Sequence, residues 1–154
     1  TPKKTIKIIE NGVLQNLLHS EFTAREFGVR PSGHGSLGAK ASVSPDWFVV
    51  KKTNRTTCQH NELTIKSCTD KYVLVDNLNA LHAGVKASQG SFSLPFDGWL
   101  IDSGSKISID SATVAGGIKE LLFNIIQIED NQIVTHQGIS PYIWVDNLSI
   151  TGEA

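Results

Sequence analysis

The chain has 154 residues, 40% hydrophobic and 19% charged, with a net charge of −1. That is length enough for a sizeable buried core and too apolar a composition for intrinsic disorder. The charge balance leaves no basic footprint for direct nucleic-acid binding, and no apolar run approaches the roughly 20 residues that span a bilayer.

The opening segment, Thr1 to Glu10, lacks the apolar core and small-residue cleavage site of a signal peptide. There is no Met anywhere in the chain. We therefore expect one β-rich domain over residues 1–154, excised from a longer, cytoplasmic protein. Asn11-Gly12 between two apolar runs is a strong hairpin signal, so Lys4–Ile9 should pair with Val13–His19. Thr23–Phe27 reads as one or two helical turns, with Thr23 as the cap and Gly28 as the stop.

Pro31 to Gly38 is rich in glycine and should form a mobile or extended loop. Its glycines do not make a phosphate cradle, because no Gly-Lys-Ser/Thr opens a helix there. Trp47–Val50 reads as a short buried strand, Thr53–His60 as a loop, and Glu62–Cys68 as either helix or strand. Lys71–Asp76 is a strand, Asn77–Ala80 a turn, and His82 should start the next strand.

Ser91–Leu94 alternates polar and apolar residues, and Pro95 should end that strand or hold it at an edge. Gly98–Asp102 and Lys106–Asp110 flank the turn cluster Asp102-Ser103-Gly104-Ser105, which predicts a hairpin. The period then changes. Ile118, Leu121, Leu122 and Ile125 fall at helical spacing, which predicts a principal helix over Thr113–Ile125 capped by Thr113. Ile125–Glu129 should continue as a strand, turn at Asp130-Asn131 and return over Gln132–Val134. Tyr142–Asp146 and Leu148–Ile150 read as one final strand kinked at Asn147. The fold class that results is α+β, mostly antiparallel β with one principal helix and short helical turns.

The order of residues from His82 to Ile125 resembles the C-terminal domain of the TldD/PmbA metallopeptidase family, and its PmbA side more than its TldD side. His82-Ala83-Gly84 and Gly90-Ser91-Phe92-Ser93 carry the first part of the resemblance. Gly98, Leu100, Ile101 and Gly104 carry the second. Thr113-Val114-Ala115-Gly116, Leu121, Leu122 and Ile125 complete it. The early segments Glu10-Asn11-Gly12-Val13-Leu14 and Thr23-Ala24-Arg25-Glu26-Phe27-Gly28 are similar to the family as well. The resemblance implies a subunit of a proteolytic assembly for small or unfolded peptides, paired with a zinc-bearing TldD-like subunit or with a second copy of itself. It also carries the family's associated name, modulator of DNA gyrase.

No catalytic constellation stands out in the residues themselves. The histidines His19, His34, His60, His82 and His136 include no helical His pair at zinc-ligand spacing. The nucleophile elbow Gly-x-Ser-x-Gly is absent. Cys58 and Cys68 match no common zinc knuckle; free thiols are the preferred reading and a local disulfide the alternative. In the TldD group of the resembled family the metal is held by a helical His-Glu-x-x-x-His motif ahead of this domain and by a late Cys; neither occurs here, which favours the PmbA side. The expectation is therefore no catalytic or metal residue in this chain, with zinc belonging to the full-length protein or its partner.

The glycine-rich segments could bring a sheet edge close to an extended peptide. The candidate peptide-binding residues are Ser32, Gly33, His34, Gly35, His82, Gly84, Gly90 and Phe92. Two other readings remain open: the C-terminal part of a zinc metallopeptidase whose metal-binding region lies upstream, and a stand-alone ligand-binding β domain.

Overall fold

The computed structural model describes residues 2–37, 41–52 and 70–152. The chain divides into two compact units. The first comprises Thr1–Asn54 and Glu129–Tyr142, the second Arg55–Ile128 and Ile143–Ala154. Two of the three boundaries between them fall within strands, β10 (Ile125–Val134) and β11 (Gly138–Val145).

In the second unit the alternation around Phe92 becomes a long antiparallel hairpin. Strand β8 (Ser91–Asp102) pairs with β9 (Ser105–Gly117) around the turn residues Ser103 and Gly104, both at positive φ. Strand β6 (Lys71–Leu78) and the short β7 (Val85–Lys86) also pair antiparallel with β8, and β12 (Ser149–Thr151) pairs with β9. Every second residue of β8 points inward. Phe92, Leu94 and Phe96 accordingly meet Ile109, Ala112 and Val114 in the core.

The three-residue step from Ile109 to Ala112 would break that alternation in a regular strand. A bulge absorbs it: Gly98 faces Ile109 while Phe96 faces Ala112. The extra residue lets both halves of β9 present apolar side chains to one face. Ser111 takes the positive φ of 63° there, and its N–H donates to Asp97 Oδ1 at 3.2 Å.

Of the two sequence readings for Pro95, the end of its strand or an edge position, the first does not hold. The Pro95 carbonyl accepts the N–H of Asn79, just past the end of β6. A strand residue directs its N and O to the same side, so the missing donor lies where the neighbouring strand has already stopped. The ladder to β9 stays intact, with Pro95 opposite Thr113.

The principal helix is the largest correction. Thr113–Gly117 belongs to β9, and the helix is only α3 (Ile118–Phe123). Val114 lies opposite Leu94 on one side and Ile150 on the other. A strand bonded along both edges outweighs the weak helical preference of a Thr-Val-Ala-Gly-Gly segment. Leu121 packs against the core, whereas Leu122 is 49% and Phe123 87% exposed. Ile125 begins β10 instead of closing a helical stripe. The fold class holds nonetheless: the described residues are mostly antiparallel strands with short helical turns.

Smaller differences follow the same logic of pairing over local pattern. Strand β10 runs through Asp130-Asn131 without turning. Its turn comes at Thr135–Gln137, where the Thr135 N–H donates to the Gly138 carbonyl at 2.8 Å. The final segment is two strands in different sheets, β11 and β12, separated by Asn147 at φ 56°. His82 sits in a helical turn, α2 (Leu81–Gly84), and not at the start of a strand.

The first unit opens on the expected hairpin, with a shorter ladder: β1 (Ile9–Glu10) and β2 (Val13–Leu14) around Asn11 and Gly12, both at positive φ. Its helix α1 (Glu21–Phe27) starts one turn earlier than predicted. Ser20 is the cap, and Thr23 is its reciprocal partner in a capping box. Gly28 stops the helix in the left-handed conformation, as expected.

Within the glycine-rich segment Gly35–Leu37 forms β3, paired with β4 (Ala41–Val43). Strand β5 (Phe48–Val49) runs parallel to β11. Phe48 and Val49 are exposed rather than buried; Gly138 fits against the Phe48 carbonyl because it has no Cβ. The readings for Thr53–His60 and Glu62–Cys68, and for the thiols of Cys58 and Cys68, lie outside the described residues.

Candidate functional site

The first unit folds its own chain around an open groove. After the Asn11-Gly12 turn the strand runs back along its entry path: the Gln15 N–H donates to the Ile8 carbonyl at 2.8 Å, and Asn16 Nδ2 donates to the Lys7 carbonyl at 2.9 Å. Past α1, the Val29 N–H returns to the Ala24 carbonyl at 2.9 Å, which closes the helix and turns Val29 and Arg30 back. The groove between these segments has a volume of about 850 Å³.

Ile6, Leu14, Leu17 and Val29 supply apolar lining, with Leu14 and Leu17 both 58% exposed. Lys4 and Arg30 supply charge, and no carboxylate is among the described lining residues. Lys3 pairs with Asp46, Lys7 with Glu10 and Lys52 with Asp130. Neither Lys4 nor Arg30 has an ion pair with a described residue.

One wall is fixed by Ser32, which is buried. Its Oγ accepts the His19 N–H at 2.8 Å and lies 2.9 Å from the His19 carbonyl, while the Ser32 N–H donates to that same carbonyl at 3.1 Å. His34 Nδ1 lies 3.1 Å from the same Oγ. A serine and a histidine at that separation could suggest a nucleophile and its base. Here the hydroxyl is buried and engaged with backbone on both sides, so it works as a clamp between two loops.

Gly33 is at φ 77°, and a Cβ there would come within 2.7 Å of the Pro2 carbonyl oxygen. Gly35 stands against Ser20 in the same way, and both glycines border a smaller cleft of about 100 Å³. Ser32, Gly33, His34 and Gly35 are thus brought together beside the groove.

The other four candidates lie in the second unit, where Phe92 and Gly84 pack and Gly90 shapes a turn. Phe92 is buried in the core. Gly84 lies against the Ser93 carbonyl, where a Cβ would have no room. Gly90 takes positive φ, and its carbonyl accepts the Ile118 N–H at 2.7 Å. His82 is exposed on α2.

Sequence reasoning missed Lys4, Leu17, Val29 and Arg30. Their one signal was the Asn11-Gly12 turn, which folds the Lys4 strand back beside Leu17. The approach of Val29 and Arg30 depends on the Ser32 clamp, which no local pattern announces.

Among the described residues, no three His, Cys, Asp or Glu side chains come together. The donor set on view therefore does not compose a zinc site, and His136 sits exposed in the turn between β10 and β11. No described helix is long and apolar enough to cross a membrane.

Comparison with known proteins gives a consistent picture. The model of the PmbA/TldA metallopeptidase C-terminal domain family matches residues 1–152. A crystal structure from Thermotoga maritima, of a candidate modulator of a DNA gyrase, is 26% identical with a TM-score of 0.70, over 98% of this chain and 34% of its own. A second, a candidate modulator of DNA gyrase from Bacteroides thetaiotaomicron, is 20% identical with a TM-score of 0.65, over 98% of this chain and 31% of its own. The second likeness is one of fold. The chain thus spans about a third of the length of either structure. No curated protein matches it in sequence.

Proposed function

Because the chain belongs to the PmbA/TldA metallopeptidase C-terminal domain family over residues 1–152, we propose that it is the scaffold and peptide-binding domain of a PmbA-like subunit. That subunit works in a cytoplasmic TldD/PmbA-type assembly that degrades small or unfolded peptides. Its partner is a zinc-bearing TldD-like subunit, and this chain contributes surface and not metal.

The observation that carries the peptide-binding part is the groove of about 850 Å³, apolar in its lining and open to solvent. Exposed apolar side chains beside accessible backbone suit an extended chain of varied sequence, which gains burial and main-chain hydrogen bonds with little side-chain discrimination. Modulation of DNA gyrase, the role in the names of the structural neighbours, would then follow from turnover of a peptide or small protein rather than from contact with DNA.

The test uses the full-length protein, alone and mixed with a zinc-bearing family member, and an unstructured fluorogenic peptide. Binding by the protein alone, with cleavage only in the mixture, is the expected result. Cleavage by the protein alone, with stoichiometric zinc that survives dialysis, would replace this reading with that of a self-sufficient metallopeptidase. No binding in either case would remove the peptide role.

A further inference from the structure

We propose that the groove of the first unit captures the free C-terminal carboxylate of an extended apolar peptide, with Arg30 and Lys4 as its receptors. This rests on the peptide-binding reading above and adds the polarity with which the peptide lies. The juxtaposition that carries it is two cations, unpaired among the described residues, beside the apolar side chains of Ile6, Leu14, Leu17 and Val29.

Charge complementarity commits the groove to an anion, because the described lining holds no carboxylate to compete. The apolar lining narrows the choice further. A phosphate or a nucleic-acid backbone gains nothing from four aliphatic side chains, whereas a peptide tail does. A guanidinium presents a planar donor fork that matches a carboxylate in two parallel hydrogen bonds, and a lysine adds a point charge.

Recognition by the chain end, and not by an internal Asp or Glu, is the economical choice for a protein that meets varied peptides. Every cleaved chain has a terminal carboxylate whatever its sequence, and apolar residues before it would lie on Leu14, Leu17 and Val29. His19 and Ser32 take no part in binding the anion; their mutual clamp holds the wall in place.

The test is fluorescence anisotropy of the full-length protein with three labelled pentapeptides. These are Ala-Leu-Ala-Val-Leu as the free acid, the same peptide amidated, and amidated Ala-Leu-Glu-Val-Leu. The free acid should bind about tenfold more tightly than either amide, the scale of one charge-assisted contact. R30Q should remove most of that preference and K4Q part of it, by weakening the free acid far more than the amide. Raising the salt from about 0.05 M to about 0.5 M should shrink the difference, because both cations are at the surface.

Equal binding of acid and amide overturns the carboxylate site and leaves the peptide-binding reading standing. So does a preference that survives both substitutions, which would put the carboxylate elsewhere. Equal preference for the internal Glu peptide overturns the chain-end assignment. Failure of all three peptides to bind removes both proposals, and an oligomer that L17E dissolves would identify a second copy as the groove's occupant. Both cations are exposed, so circular dichroism of the variants should match the wild type.

Discussion

The two units of this chain hold themselves together by different means. In the second, side chains are buried against side chains: Phe92, Leu94, Phe96, Ile109, Ala112 and Val114 form one cluster under a long antiparallel hairpin. In the first, the buried described residues include Ala24, Ser32 and Glu129, while Phe22 and Phe27 of its helix are 73% and 69% exposed. What holds its loops is polar and local: the Ser20–Thr23 capping box, the Ser32–His19 clamp and the Gly33 approach to Pro2. A core of apolar contacts resists deformation because a close-packed interior has no slack. A unit held by a few hydrogen bonds is cheaper to open, and it keeps apolar surface for a partner. The difference therefore separates a half built on an apolar core from a half that leaves apolar side chains exposed.

That comparison is broken most directly at Phe96, which is fully buried. Phe96→Ala should cost about 3–5 kcal/mol, as transfer and cavity terms add, while Phe22→Ala on α1 should stay within about 0.5 kcal/mol. Urea melts of the two variants decide it. Similar losses would mean that α1 is packed in the protein as it works, and the contrast between the units would fall.

A finer test lies within one short helix. Leu121 packs against the core and Leu122 is half exposed. Leu121→Ala should cost about 2 kcal/mol, the lower end for leucine truncation because the site is only partly buried. Leu122→Ala should cost well under half of that. Equal losses in thermal melts would restore the apolar stripe predicted from spacing, in which both leucines are buried.

That helix marks the limit of what periodicity could reveal. The alternation of Ser91–Leu94, the turn at Ser103-Gly104 and the Asn11-Gly12 hairpin were legible because each is decided within a few residues. So was the family resemblance, carried by an ordered set of residues along β8, β9 and α3. The strand at Thr113–Gly117 was not legible, because its pairing with Ser149–Thr151 is set by residues far along the chain. The same holds for Pro95, whose tolerance depends on where β6 ends. At the candidate site, the glycine-rich loop was legible as a special segment. The two cations and the apolar lining were not, since Lys4 and Arg30 come to line one groove only through the fold of the first unit.

The clamp is the next test. Ser32→Ala removes the acceptor of the His19 N–H and should cost about 1–2 kcal/mol for the donor left unpaired. The effect should be local. Amide exchange at His19 and its neighbours should accelerate while the β8 and β9 amides keep their protection. Loss of protection throughout β8 would show that the two units share one cooperative structure.

The smallest expected effect is a pH dependence confined to the second unit's hairpin end. Lys71 lies opposite Asp102 in the β6–β8 register, and its Nζ stands 3.0 Å from the carboxylate. The hydrogen bond from Lys71 holds the Asp102 carboxyl below its usual range; the bond from Ser103 and the charge of Lys71 act in the same direction. A folded pKa below the unfolded one stabilises the fold above the ordinary carboxylate value, near 3.9, and that contribution disappears as the pH falls through the lower folded value. The window is therefore acidic, and stability near neutrality should not respond to it. Both side chains are largely exposed, so solvent and salt keep the gain small. An NMR titration of the Asp102 carboxyl should show its pKa rising toward the ordinary value in Lys71→Ala. An unchanged Asp102 titration would assign the depression to Ser103 alone, and Ser103→Ala would then be the variant that moves it.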